Sequence, residues 1–171
     1  MTSTAASPVR SDRQTPNPPV PKDEAWAERL RAANINPRTG LATDYLNHFN
    51  EAIMLLEMIP DMPECAEDFL GWQPLSYREH FTASNFKARD LAIEAYDSAD
   101  QAIRAEFDNL TSAMTSILTA VGDAMRQARQ DKTRATLAEQ ATGWVKPLVM
   151  LAGGVINGST EADVETIMMG H

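Results

Sequence analysis

Apolar residues follow a four-three spacing along the middle of the chain, and polar residues fill the positions between them. Residues three and four apart share one face of a helix, so the spacing describes a continuous apolar stripe. It predicts a long helix over about 99–129 that packs against at least one other helix. The eight positions of this seam are Ile103, Phe107, Leu110, Met114, Ile117, Val121, Ala124 and Ala128.

Similar stripes predict helices before the seam. One helix is expected from about 23 to 33 and a second over 41–59, followed by a connector (61–74) that contains a small helix. The second helix has an inner stripe at three-four spacing, formed by Ala42, Tyr45, Phe49, Ala52, Leu56 and Ile59.

Capping signals place further helix boundaries. Ser76 and Glu79 form a capping box that opens a helix reaching about Asp97, and Ser98 with Gln101 suggests another box and a break between helices. Gly143 and Pro147 are expected to separate a helix over 133–142 from one over 148–156. A last amphipathic turn is predicted through residues 160–168.

No segment shows the alternation typical of strands. The predicted fold is therefore all-α, a bundle of about four or five helices in a single domain over residues 23–171. Residues 1–22 hold half of the ten prolines and little apolar surface, which predicts a disordered tail.

The net charge of the chain limits the classes of partner that it can bind. The net charge is −9; residues 1–22 carry +2 (Arg10, Arg13 and Lys22 against Asp12), so the rest carries −11. Such an acidic body repels phosphate backbones and anionic membranes, so we expect neither nucleic acid nor membrane as a partner. A protein partner or a homo-oligomer remains compatible.

Cysteine usage and hydropathy indicate a cytoplasmic protein. The single cysteine, Cys65, cannot form an intrachain disulfide, and the neighbouring acids raise a thiol's pKa, so a buried structural role is expected. The first residues show no apolar signal region, and the apolar stretch 144–156 is too short to span a bilayer.

The stretch 109–122 carries no charge, and its faces beside the seam are rich in hydroxyl groups: Thr111, Ser112, Thr115, Ser116 and Thr119. Exposed helix faces usually carry Lys and Glu, so this composition favours burial within the chain's own bundle, or a docking surface for a second copy or a partner.

These patterns favour a small non-enzymatic interaction or regulatory protein that acts through helix–helix contacts, with a homodimer as one expected form. Catalytic residues, metal ligands and cofactors are not assigned. The expected contact residues are Met114, Ile117, Leu118, Val121, Leu148, Met150, Leu151, Ile167 and Met168.

An alternative is a metal- or small-molecule-binding bundle enzyme with a pocket near His48 and His80, together with Tyr45 and Tyr96. Bundle metal sites usually use Glu-x-x-His motifs, and the chain has only the reversed order, His48-x-x-Glu51. His48 is also predicted to lie on the polar side of its helix, which favours a surface role.

Trp72 precedes His80 by eight residues across a predicted loop-to-helix junction, after a helix that includes Leu55 and Leu56. Over roughly residues 41–84, this arrangement is similar to the start of the second helix in DinB-like four-helix bundles, some of which bind a metal through three histidines. The resemblance implies a bundle. It implies no metal site, since only His171 follows His80.

Overall fold

The computed structural model describes residues 22–158, and within them the fold is all-α, as the sequence predicts. A short 3-10 turn, Thr43–Tyr45, leads into the second helix. The seven helices are α1 (Lys22–Ala32), α2 (Leu46–Met58), α3 (Cys65–Leu70), α4 (Tyr77–Ala83), α5 (Arg89–Asp97), α6 (Gln101–Gln127) and α7 (Asp131–Ile156).

The three longest helices form the centre of the bundle. α6 and α7 are joined by three residues, so they run antiparallel, and α7 also packs along α2. Arg134 fastens the α6–α7 connection, because its Nε donates to the carbonyls of Met125 and Ala128 at 3.0 and 2.8 Å. The 2.8 Å ion pair of Lys146 with Glu57 joins α7 to α2. The smaller helices pack on this centre, α3 against α2 and α4 against α5.

The apolar stripes predicted for α2 and α6 are both present, with one difference. All six residues of the first stripe are buried, although only Phe49, Ala52 and Leu56 lie within α2; Ala42 and Tyr45 precede it and Ile59 follows it. On α6 the fully buried line includes Phe107, Met114 and Val121 from the predicted seam, but continues through Leu118 and Met125. Ile103, Leu110 and Ile117 are only half-buried at the edge of the core.

The helix predicted over 76–97 is interrupted, and this prediction was wrong. The Ser76–Glu79 capping box opens α4 as expected. However, α4 ends at Ser84, whose hydroxyl donates to the Phe81 carbonyl at 3.1 Å and accepts from the Phe86 amide at 3.2 Å. This local turn directs the Phe86 ring onto Phe81, at 5.3 Å between ring centroids.

The predicted break near Ser98 is confirmed, but a different residue caps the next helix. Asp100 is the N-cap of α6, and its carboxylate accepts from the amides of Ala102 and Ile103 at 3.0 and 3.2 Å. Asp and Ser are about equally good caps, so composition alone could not choose between them.

The helix break predicted at Gly143 and Pro147 is also wrong, because α7 runs through both residues. An interior proline removes one helical hydrogen bond and crowds the carbonyl four residues earlier, a cost of about 3 kcal/mol. That carbonyl belongs to Gly143, and α7 nevertheless continues through both residues. Packing of α7 against both α6 and α2 offsets this cost.

None of the described helices combines the length and the apolar character needed to cross a membrane. Residues 1–21 and 159–171 lie outside the described part of the chain. The predicted tail and the last amphipathic turn, with Ile167 and Met168, therefore fall outside it.

Candidate functional site

The predicted contact residues occupy two different environments. Met114, Leu118 and Val121 are buried in the chain's own core, with at most 5% of their surface exposed. Ile117 and Leu148 are half-buried. Leu151 is half-buried as well, and Met150 is 52% exposed.

Sequence reasoning missed Trp144, the most exposed of the large apolar side chains in the described bundle, with 55% of its surface open to solvent. The predicted helix break at Gly143 and Pro147 hid its significance, because a tryptophan in a connector is unremarkable. In a continuous α7, Trp144 shares a face with Leu148 and Leu151 at four- and three-residue spacing.

The helices α6 and α7 carry a surface that lacks charge along most of its length. Residues 109–122 of α6 contain no charged side chain, and residues 140–158 contain only Lys146. The two stretches lie in helices that run antiparallel and pack along each other. We call this surface the uncharged face; its open or half-open positions are Asn109, Ser112, Ala113, Ser116, Ile117, Ala120, Trp144, Leu148 and Leu151.

A second group of side chains surrounds His48. The imidazole stacks on Trp72 at 4.7 Å between centroids, and its Nε2 donates to the Gln73 carbonyl at 2.6 Å. The Trp72 indole in turn donates to the His48 carbonyl at 3.0 Å. His48 lies on the polar side of α2, as predicted, but the connector folds back over it and leaves 12% of its side chain exposed. Burial lowers the pKa of His48, against a smaller opposing effect of the Gln73 hydrogen bond.

His80 lies beside His48, as the alternative interpretation of the sequence proposed, with 6.2 Å between the ring centroids. Its Nε2 is 2.9 Å from the Asp44 carboxylate, and its ring meets Tyr45 edge-on at 5.5 Å. Over residues 22–158, no group of three or more His, Cys, Asp or Glu side chains is arranged to hold a metal ion. His48 and His80 each have a protein partner and form part of an aromatic network.

The aromatic network continues from Tyr45 through Tyr77 to Tyr96, which stack or meet edge-on at 5.2 and 4.5 Å. Tyr45 donates to the Leu75 carbonyl at 2.6 Å, and Tyr96 donates to Asp108 at 2.9 Å. Burial raises the pKa of all three phenols, that of Tyr96 to about 12. They stay protonated at neutral pH and act as hydrogen-bonding groups.

An open cleft of about 580 Å³ adjoins these tyrosines. The hydroxyl-rich side of α6 forms its opposite wall, so part of the hydroxyl stripe noted in the sequence faces a cleft. In the chain, Thr111 donates back to the Asp108 carbonyl at 3.1 Å. The lining combines three phenols, two carboxylates and several aliphatic hydroxyls: Tyr45, Tyr77, Tyr96, Glu79, Asp108, Ser76, Thr111, Ser112, Thr115 and Ser116.

Cys65, the first residue of α3, is buried, as the sequence predicts for a structural cysteine. Burial raises the pKa of its thiol, and the carboxylates of Asp68 and Glu64 add to the effect. A buried thiol with a raised pKa is a poor nucleophile. Two surfaces of residues 22–158 combine features that point to a function: the uncharged face and the tyrosine-lined cleft, which border each other at Ser112 and Ser116. Comparison with known proteins adds no third, since no family model, no curated protein and no solved structure matches the chain.

Proposed function

We propose that the chain is a small, cytoplasmic, non-enzymatic interaction protein whose contact surface is the uncharged face of α6 and α7. The observation that supports this most is the exposure of Trp144 at 55% within a surface nearly free of charge. Apolar patches of this kind on a soluble protein commonly mark sites of protein association. Tryptophan is also among the residues most enriched at the energetic centre of interfaces.

The burial pattern divides the expected contact residues into two roles. Met114, Leu118 and Val121 stabilise the bundle from inside and take no direct part in this proposal. Ile117, Leu148 and Leu151 are half-buried, so they remain available to the proposed contact surface together with the exposed Trp144.

The size of the Trp144 contribution follows from its exposed area. About 55% of a tryptophan's roughly 250 Å² gives about 140 Å², worth ~3 kcal/mol if a partner covers it completely. That is enough to make this single side chain the anchor of an interface.

The acidic remainder of the surface supports the same view. With a net charge of −9, the protein gains nothing from nucleic acid or from anionic lipid, and we expect neither as a partner.

Site-specific photocrosslinking tests this function. A photoreactive phenylalanine analogue replaces Trp144 in one sample and Met62 in the matched control; Met62 is 43% exposed in the connector between α2 and α3. We expect crosslinked adducts in cells from position 144 and none from position 62. Equal adducts from both positions, or none from position 144, would contradict the proposal.

The second candidate function is binding of a small polar molecule in the tyrosine-lined cleft, close to the His48–His80 pair. The Tyr96–Asp108 hydrogen bond favours it, since both groups line the cleft and the Asp108 carboxylate keeps unused acceptor capacity. A thermal-shift screen with polyols and small amines tests this candidate. Stabilisation that disappears in Asp108→Asn but persists in the exposed control Asp123→Asn would support it.

A further inference from the structure

The partner of the uncharged face can be named by its chemistry, and this inference rests on the proposed function. We propose that the face binds a second copy of the same chain, through a two-fold contact in which the α6–α7 pair of one copy packs on that of the other.

The distribution of charge favours a second copy as the partner. Each copy bears a net charge of −9, so two copies repel each other over most of their surfaces. In a two-fold contact, residues near the axis meet their own counterparts, and any charge there meets a like charge. The uncharged face avoids this, because residues 109–122 carry no charge and Lys146 is the single charge in 140–158.

The charge distribution also disfavours a basic protein as the partner of the uncharged face. A positively charged protein would be attracted to the carboxylates elsewhere on the body, where the net charge is concentrated. A surface without charge offers such a partner no electrostatic gain. The uncharged face of a second copy matches this surface, since the two copies repel each other everywhere else.

The small side chains on α6 also favour close packing of two copies. Ala113, Ser116 and Ala120 follow one another at three- and four-residue spacing on α6. Small residues let helices approach closely, and the exposed Trp144 lies on α7, the helix that packs along α6. Two such hairpins can therefore pack as a four-helix arrangement with each tryptophan on the small residues opposite.

The available area sets the strength of the contact. Residues 140–156 span about 25 Å of helix and two adjacent helices about 20 Å, which gives roughly 500 Å² per copy. The total of about 1,000 Å² lies at the lower limit for specific interfaces. The dimer is accordingly reversible and depends on concentration.

Light-scattering mass of the purified full chain tests the inference, measured from about 1 to about 300 μM. We expect the mass to rise from 18.8 kDa toward twice that value. Trp144→Glu and Ser116→Asp should each keep the protein monomeric, with an unchanged helical circular dichroism spectrum, since both positions are exposed. The matched control Met62→Glu adds the same charge outside the face and should dimerise like the parent chain.

Ionic strength gives an independent reading of the same contact. Salt screens repulsion between two acidic bodies but leaves an uncharged interface unaffected, so dimerisation should strengthen between low and high salt. An interface built on salt bridges would weaken instead.

The outcomes separate this inference from the proposed function. A chain that stays monomeric throughout, while position 144 crosslinks to a different protein, overturns the second-copy inference and leaves the interaction function standing. A dimer that survives both face variants also overturns it, since the contact then lies elsewhere. Absence of any adduct from position 144 overturns the proposed function itself.

Discussion

Replacing Gly40 with alanine should destabilise the bundle by an amount that the local geometry sets. Gly40 lies in the connector between α1 and α2 with φ of +74°, a left-handed conformation that costs other residues about 1–2 kcal/mol. An added Cβ would lie 2.8 Å from the carbonyl oxygen of Ala95, which is closer than such atoms approach. That carbonyl accepts a hydrogen bond from the Ser98 amide at 3.2 Å, so the end of α5 must shift as well.

The two contributions together give an expected loss of about 2–4 kcal/mol in the free energy of unfolding. For a domain of this size each kcal/mol corresponds to about 2–4 °C, so the melting temperature should fall by roughly 5–15 °C. Thermal and urea unfolding followed by circular dichroism at the helix signal measure both quantities.

Gly143→Ala is the matched control, because it makes the same chemical change in a different setting. Gly143 lies inside α7, and no atom would come within 4 Å of its added Cβ. Alanine should therefore stabilise the helix by about 0.5–1 kcal/mol. A Gly40→Ala protein that melts at the parent temperature, or shifts in the same direction as Gly143→Ala, would refute the reasoning.

Four further predictions follow from single contacts. His48 has a pKa below its ordinary 6.5 in the folded chain, so its contribution to the free energy of unfolding should be fully present above pH 6.5 and should be lost as the pH falls below that value. His48→Gln should flatten this pH dependence in urea titrations. Tyr96, with its pKa raised from 10.0 to about 12, should resist ionisation in absorbance titrations, and its stabilising effect should be lost as the pH rises from 10 toward 12. Asp100→Ala should cost about 1 kcal/mol in urea unfolding and Ser98→Ala much less, because Asp100 is the cap of α6. Phe107→Ala should cost about 3–5 kcal/mol by the same assay, since that ring is fully buried.

Local signals in the sequence were sufficient to predict the structural features that depend only on neighbouring residues. The Ser76–Glu79 box and the α2 stripe follow from rules that act within one or two turns, and the structure has both. The interruption at Ser84 is also local, but a serine is compatible with a helix interior. Its hydroxyl turn forms here together with burial of Phe86 against Phe81, a tertiary contact that periodicity does not reveal.

The environment of His48 depends on contacts that a single helix pattern cannot predict. Helix geometry places the residue correctly relative to its own helix, but not relative to the connector that returns over it. The stacked Trp72 lies 24 residues later and converts a polar edge into a half-buried aromatic network. The alternative interpretation, which grouped His48 with His80, used proximity in the fold and was closer to the structure than the assignment from the helix face alone.

The orientation of α6 links this limit to the function proposed for the chain. The sequence contains two overlapping stripes on α6, one through Ile117 and one through Leu118, and apolar spacing supports each of them. The two stripes share Phe107, Met114 and Val121, so they differ by a rotation of less than one residue around the helix. The core takes the stripe through Leu118, so Ile117 remains half-buried at the edge of the core. This half-open position is what makes Ile117 available to the contact surface proposed to include Trp144. Had the core taken the other stripe completely, Ile117 would be sealed and Leu118 would face the hydroxyl-rich side of α6. The function proposed here therefore depends on a packing choice made by the whole bundle, and Ile117→Asp should weaken association more than it lowers stability.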